Sequence, residues 1–514
     1  IPITAPGYAD MQNAELQFNF RVQYTGTANA NWAFIMSGGA ACWIRSLKWE
    51  GPEQNELEFI DEYALLYTQW MAHCGSRAHR RGPQTIKEGI NLYENSDGLG
   101  PRGFMQPPDF AIGDIDVRQS ADITLTLGGG GTVSWGPTQA APNDVMVVST
   151  NPAAITPPIE FLMQNNAPLT AGGRYLYTPV GINDVQRTFS IALLSAMTNT
   201  NRYIPLILMA KQTVVLVLEL EMPSTALTAT SQALPIFPGT AWYSVINPVL
   251  AVPVIRVPVN YSKTFRDAVD LQGMPLQLSG VTFRTTKATY PNEEITMPLG
   301  AFKCTSLKGL LIALRSSQSV GYIGAQAYTC SNLGVKQYVL QVGGTNYPQQ
   351  PIQVIPADVL TAAGYRATGA NLYAELLRVL GTTSDVHYGG VVNFSNYRTS
   401  FGLLGIALET FPTASGQVSS GLNTAEHDEG MQLHITGPVG VSRLAVDWNT
   451  PYATSEFGQG DSVEAWTTSA AAPSFATNDA TQYTYTPLVL LVTVYAQCDW
   501  VGSVLPGGSF VATW

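Results

Sequence analysis

Leu16, Phe18, Phe20, Val22 and Tyr24 alternate with Gln17, Asn19, Arg21 and Gln23, and this period of two returns along the whole chain. Successive side chains of an extended segment point to opposite faces, so each such run presents one apolar face that must be covered by a second layer. Similar runs span Ala41 to Trp49, Asp122 to Leu127, Val145 to Val148, Thr213 to Glu221, Val281 to Arg284 and Ser306 to Arg315. They continue at Val335 to Val342, Gly402 to Glu409, Met431 to Ile435 and Leu488 to Tyr495. Rich in β-branched residues and divided by Gly, Pro and Asn, they predict an all-β sandwich or barrel protein.

A chain of 514 residues exceeds the roughly 250–300 residues at which single cores stop growing, so two domains are expected. Two inter-strand excursions carry helical spacing. From Glu58, the residues Ile60, Tyr63, Ala64, Tyr67, Trp70, Met71 and Cys74 recur at helical intervals, with Glu56, Glu58, Asp61 and Glu62 at the end that favours anions. A second helix is expected within Ala357 to Leu380, firmest over Leu372 to Leu380. Pro223 to Gly239 carries no charge and has the composition of a linker. The expected plan is therefore a first domain over 1–222 with an N-terminal arm, a linker over 223–241 and a second domain over 242–514.

Only 12% of residues are charged, against roughly 25% in ordinary globular domains, which suits a surface covered by neighbours. The formal net charge of −11 provides no global field for phosphates, and the sole basic cluster, Arg77-Ala78-His79-Arg80-Arg81, reads as a solvated loop. Cys42, Cys74, Cys304, Cys330 and Cys498 are scattered without metal-type spacing, so no disulfide framework is expected and a reducing site of assembly fits. No run reaches the ~18 apolar residues of a membrane helix, and the opening Ile1-Pro2-Ile3-Thr4 has no signal-peptide pattern. A start at Ile1 implies either removal of a preceding segment or numbering that begins after one.

Residues with chemical potential do not converge on a site. Gly128 to Gly131 lacks the Lys-Ser/Thr and the helix start of a phosphate loop. Adjacent carboxylates in Glu426-His427-Asp428-Glu429 diverge on an extended loop, whereas a glycosidase pair must converge. His427 with His434, and His73 with His79, lack zinc spacing, and no G-x-S-x-G occurs. No catalytic, cofactor or metal residue is predicted.

Several segments, in order, resemble the double jelly-roll major capsid proteins of the virophage, Polinton and polinton-like lineage of double-stranded DNA viruses. Ile44-Arg45-Ser46-Leu47 leading to Glu56-Leu57-Glu58-Phe59-Ile60-Asp61-Glu62-Tyr63 is similar to their strand and acidic helix. Tyr203-Ile204-Pro205-Leu206, then Val215 to Leu220, resembles the close of their first barrel. Val335 to Gly344 with Tyr347-Pro348-Gln349-Gln350-Pro351-Ile352, the helix from Tyr373 to Gly381, and Gly405 to Glu409 with Ser420 to Thr424 follow their second half. The chain departs from them at Ala407-Leu408-Glu409, where relatives often carry Asp-Leu-Glu, and in the loops Gly82 to Pro108 and Ser455 to Gln482.

The resemblance implies two tandem eight-stranded jelly rolls with helices in long inter-strand loops, forming a homotrimeric, pseudo-hexameric capsomer that tiles an icosahedral virion. It implies lateral contacts with its own copies and with penton and minor capsid or cement proteins, assembly inside the host cell, and no enzymatic activity. Trp70, Met71 and Phe104 are candidates for interface area, although Trp70 fits its own barrel's core better. The acidic balance predicts no direct, sequence-specific nucleic-acid binding. Two other readings fit a β-sandwich: a carbohydrate-binding or glycoside-active protein, since fold does not fix function, and a minor or vertex capsid protein.

Overall fold

A computed structural model describes residues 7–24, 34–36, 40–51, 55–74, 87–88, 123–126, 132–135, 184–200, 202–206, 208, 214–229, 241–273, 276–290, 294–316, 328, 330, 335, 337–353, 370–381, 392, 397, 402–409, 421–425, 430–436, 490–505 and 510–513. Strands of the first half are β1 (Tyr8–Ala9), β2 (Glu15–Tyr24), β3 (Phe34–Met36), β4 (Ile44–Glu50), β5 (Glu56–Ile60), β6 (Ile123–Thr126), β7 (Thr132–Trp135), β8 (Asp184–Ala192), β9 (Ile204–Pro205), β10 (Val215–Leu220), β11 (Leu227–Ala229), β12 (Ala241–Ala251) and β13 (Val254–Ile255). The second half holds β14 (Leu276–Tyr290), β15 (Glu294–Pro298), β16 (Leu307–Ser316), β17 (Gln337–Val342), β18 (Thr345–Gln353), β19 (Leu404–Ala407), β20 (Met431–Thr436), β21 (Leu490–Val504) and β22 (Phe510–Thr513). The helices are α1 (Tyr63–Cys74), α2 (Pro223–Ala226), α3 (Val259–Gln272) and α4 (Ala370–Val379). The all-β class is as expected.

The second half winds as a jelly roll, which follows from its strand pairing. Of the eight strands β14 to β21, the first pairs with the last, β15 with β20, β16 with β19, and β17 with β18, all antiparallel. Rolling up those four nested pairs brings β21 beside β16 and β20 beside β17. Two four-stranded sheets result, β14-β21-β16-β19 and β15-β20-β17-β18, with β22 added beside β21. This closed winding is the jelly-roll solution to unpaired sheet edges.

The two sheets differ in sequence because they differ in cover. In β15, β17 and β20 every second residue is buried, as expected for a sheet with one face in solvent. Gly309 to Arg315 of β16 and Val492 to Trp500 of β21 are buried without a break, which requires cover on both faces. Helix α4 supplies part of it: Leu372, Leu376 and Val379 are buried on one stripe, and a Cβ on Gly405 would come within 2.8 Å of the Leu376 Cα. Glycine at 405 therefore sets how closely the helix approaches β19.

In the first half, β2 lies between β8 and β12, and β4 lies between β5 and β10. The predicted apolar face of β2 is buried through Leu16, Phe18, Phe20 and Val22, and Phe18 meets Trp43 edge-on with ring centroids 5.1 Å apart. Residues 223–241, expected as a linker, include α2 and β11, which pairs with β3. Ala241–Ala251 joins β2 of the first half, so these residues take part in first-half sheets.

The expected helix from Glu58 starts later, at Tyr63, and Glu56–Ile60 is strand β5 paired with β4. Glu62 takes a left-handed φ of 52°, which breaks the chain direction between strand and helix. Helix α3 was not anticipated, although Pro258 precedes it and Gly273, at φ 63°, closes it by donating its N–H to the Val269 carbonyl. The runs at Val145 to Val148 and the glycines at 128–131 lie outside the described residues.

Leu433 of β20 is fully buried between the sheets. Leu433→Ala should lower stability by roughly 2–5 kcal/mol through lost burial and a residual cavity. A fall in the urea midpoint at unchanged oligomeric state checks this.

Candidate functional site at the junction of the two halves

Residues 57–62 form a continuous polar rivet between the halves. Strand β5 is held to β4 by its backbone, which leaves its side chains and the following turn to face the sheet of β14, β21 and β16. Glu58 accepts hydrogen bonds from the Ala196 N–H at 2.8 and 3.0 Å and from the Thr282 hydroxyl at 2.7 Å. Trp500 Nε1 donates to the Leu57 carbonyl at 2.8 Å. At the turn, Thr285 donates to the Asp61 carbonyl and Tyr495 to the Glu62 carbonyl, at 3.0 and 2.9 Å.

Ion pairs complete the turn. Glu62 meets Arg315 at 3.1 Å and Lys287 at 3.0 Å, and Lys287 also reaches Asp61 at 3.1 Å. Arg315 is buried and also donates to Thr493 at 3.2 Å. Close backbone approach at this seam requires glycine at 280, because a Cβ there would stand 2.8 Å from the Ala196 carbonyl oxygen.

Burial alone would raise the Glu62 carboxyl, but the Arg315 and Lys287 cations outweigh it and hold the group below its ordinary value. Among the described residues no cation stands beside Glu58. Burial pushes its carboxyl up to about 7, and the hydrogen bonds from Ala196 and Thr282 offset that only partly. Thus one junction contains an ionised, paired carboxylate and a second that titrates near neutrality.

Three further contacts cross the same seam. Tyr328 donates to the Cys42 carbonyl at 2.7 Å, Gln69 of α1 donates to the Tyr328 carbonyl at 2.8 Å, and Trp70 packs edge-on against Phe283 at 5.3 Å. Trp70 and α1 thereby face the second half rather than filling only the core of the first. His73 is buried within about the same region, 5.9 Å from the Tyr373 ring and 6.1 Å from Tyr397.

The arrangement holds surfaces together. Glu58 is 1% exposed and both its oxygens are already engaged by the chain. His434 lies on β20, between the Thr296 hydroxyl at 3.2 Å and the Gln341 side-chain oxygen at 3.1 Å. Residues 77–81, Phe104 and 426–429 lie outside the described residues. Among the described residues no group of three or more metal-type ligands occurs, and no helix is long and apolar enough to cross a membrane.

Nothing in the local sequence marks this junction: the acidic residues 56–62 fit the anion-favouring end of a helix, whereas Glu58 and Glu62 serve partners far along the chain.

No family model and no curated protein matches the chain. Solved structures do align with it. The crystal structure of PBCV-1 VP54 fitted into a reconstruction of the virophage Sputnik covers 99% of this chain and 91% of its own, with a TM-score of 0.46 and 9% identity. The Sputnik virophage structure covers 99% and 83%, at 0.47 and 12%. The Faustovirus major capsid protein covers 100% and 87%, at 0.44 and 8%. These scores are low, and the jelly-roll assignment of the second half stands on the strand pairing of this chain itself.

Arg315→Met should destabilise the protein by roughly 3–5 kcal/mol, because Glu62 loses its buried cation and keeps only the more exposed Lys287. Thermal unfolding of the variant beside wild type measures the loss.

The Glu58 carboxyl, ordinarily near 4.5, is raised to about 7 in the fold. Its stabilising contribution is therefore full below pH 4.5, declines between pH 4.5 and 7, and is lost above. The printed shift corresponds to about 3 kcal/mol. Glu58→Gln should abolish that decline, so its stability relative to wild type rises by about this amount from pH 4.5 to 8 in denaturant titrations.

Proposed function

We propose that the chain is the major capsid protein of an icosahedral double-stranded DNA virus, acting as a homotrimer whose two jelly rolls per chain make a six-sided block. The observation that carries this reading is the riveted junction: a jelly roll with one sheet locked to the first half by buried hydrogen bonds and ion pairs. Such a unit transmits load as one body. A two-part enzyme, in contrast, commonly places a cleft at the seam between its parts. The ordered resemblance from Ile44 to Thr424 adds to this reading.

In this reading the first half is also a jelly roll, and the division between the barrels falls after Gly273, beyond β12, instead of at 222–242. Area for neighbouring copies is available at Val215, Val217, Leu220 and Met222 on and after the edge strand β10, all exposed. Tyr261 and Leu271 of α3 are exposed as well. Large apolar surface of this kind suits a protein-protein contact. The trimer would sit in the virion shell, contacting its own copies laterally and penton and minor capsid or cement proteins at the shell's special positions. Closed three-fold symmetry satisfies each head-to-tail contact.

Light scattering on the purified protein should give the mass of three 55.3 kDa chains, with a pseudo-hexagonal outline in negative stain. A pentamer would favour a vertex protein, and a monomer that binds glycans would favour the carbohydrate-binding reading. The acidic balance adds a second expectation: at physiological salt the trimer should not shift duplex DNA in a gel, and a clear shift contradicts the proposed division of labour.

A further inference from the structure

Cys304, just before β16, and Cys498, within β21, are both fully buried, with their sulfurs 3.0 Å apart. Backbone contacts set this approach. The Thr424 and Ala425 N–H groups both donate to the Cys304 carbonyl, at 2.9 and 3.1 Å, and the Cys304 N–H donates to the Thr424 hydroxyl at 3.0 Å. Cys498 is fixed between β14 and β16, opposite Thr282 and Leu307, and the next N–H, of Asp499, donates to the Ser306 carbonyl. The two sulfurs are therefore held about 1 Å beyond the length of a disulfide bond by strands that cannot drift apart without opening the barrel.

We propose that Cys304 and Cys498 form a latent disulfide, closed by a peroxide after the barrel has folded, that ties the start of its third strand to its last. The Cys498 thiol donates its hydrogen bond to the Cys304 sulfur. That contact lowers Cys304 below an ordinary thiol and makes it the nucleophile. The Cys304 thiolate attacks one peroxide oxygen, the O–O bond breaks, and the released hydroxide takes a proton to become water. The Cys498 sulfur then attacks the sulfenic sulfur of Cys304, forming the S–S bond as the S–O bond breaks, and the departing hydroxyl takes the Cys498 proton to leave as a second water. In sum, two thiols and one hydrogen peroxide give one disulfide and two waters.

The bond closes a loop of 194 residues, and cross-links that close long loops restrict the unfolded chain most. It is independent of what the protein does: it requires only the folded second half.

The test uses the full-length protein, reduced, desalted and exposed to hydrogen peroxide, then quenched with catalase and unfolded in N-ethylmaleimide. Digestion without reductant should yield a Cys304–Cys498 linked peptide, while Cys42 and Cys330 carry the alkyl label. The thermal midpoint should rise by several degrees, return on addition of dithiothreitol, and stay unmoved by peroxide in Cys498→Ser. Alkylation of both Cys304 and Cys498, in a sample whose half-buried Cys74 has already been oxidised, overturns the proposal. So does a cross-link from either residue to any other cysteine. Should Cys498→Ser fail to fold, the linked peptide and its dithiothreitol-reversible midpoint in the wild-type protein decide the matter alone.

Discussion

Two carboxylates taken out of water at one seam set the terms for the rest of this molecule. A buried charge is tolerated only where partners replace its lost hydration. For Glu62 those partners are Arg315 and Lys287, and for Glu58 they are the Ala196 N–H and the Thr282 hydroxyl. Arg315, Lys287 and Thr282 stand on strands of the second half, so both carboxylates tie the first half to it, while the Ala196 N–H holds Glu58 from within the first. Neither half can separate without leaving buried polar groups unsatisfied, and the cost of that exceeds the modest gain of any one hydrogen bond. The left-handed turn at Glu62 aims both the carboxylate and the carbonyl into the seam.

Cover from the first half also explains why the jelly roll's two sheets look unlike each other in sequence. The β15-β20-β17-β18 sheet keeps a plain alternation and was legible from it: Tyr338, Leu340, Val342, Leu433 and Ile435 are all buried as period two demands. The runs of β16 and β21 are legible as strands too, but as period-two strands; their burial without a break from Gly309 to Arg315 and from Val492 to Trp500 reflects a second covered face. Helix α1 was found but started too early, because Glu58 and Ile60 fit a helical spacing by coincidence while their backbone pairs with β4. Helix α3 lies beyond the predicted elements although it is amphipathic; much of its surface is exposed, and its Pro258 and Gly273 boundaries are the signal the sequence offers. The junction was not legible at all. Thr282 is 224 residues from Glu58 and Tyr495 is 433 from Glu62, and nothing local in a sequence marks a partner at that distance.

The seam bears directly on the proposed role as a building block. The chemistry spent on the seam ties two parts together, while under the proposed function the exposed apolar residues of β10 and α3 would supply contacts with other chains. Low charge content, 12% of residues, leaves few solvated side chains to displace when copies pack. The titratable Glu58 adds a pH dependence to the seam that a purely apolar interface would lack, weakening the fold as pH rises from 4.5 to about 7.

The most direct test of the central claim, that the two halves behave as one mechanical unit, is differential scanning calorimetry of the intact chain at low concentration. A single cooperative transition, with a calorimetric enthalpy equal to the van't Hoff enthalpy per folding unit, is the predicted result. Two resolved transitions, one for each half, would contradict the account and reduce the seam to a surface contact.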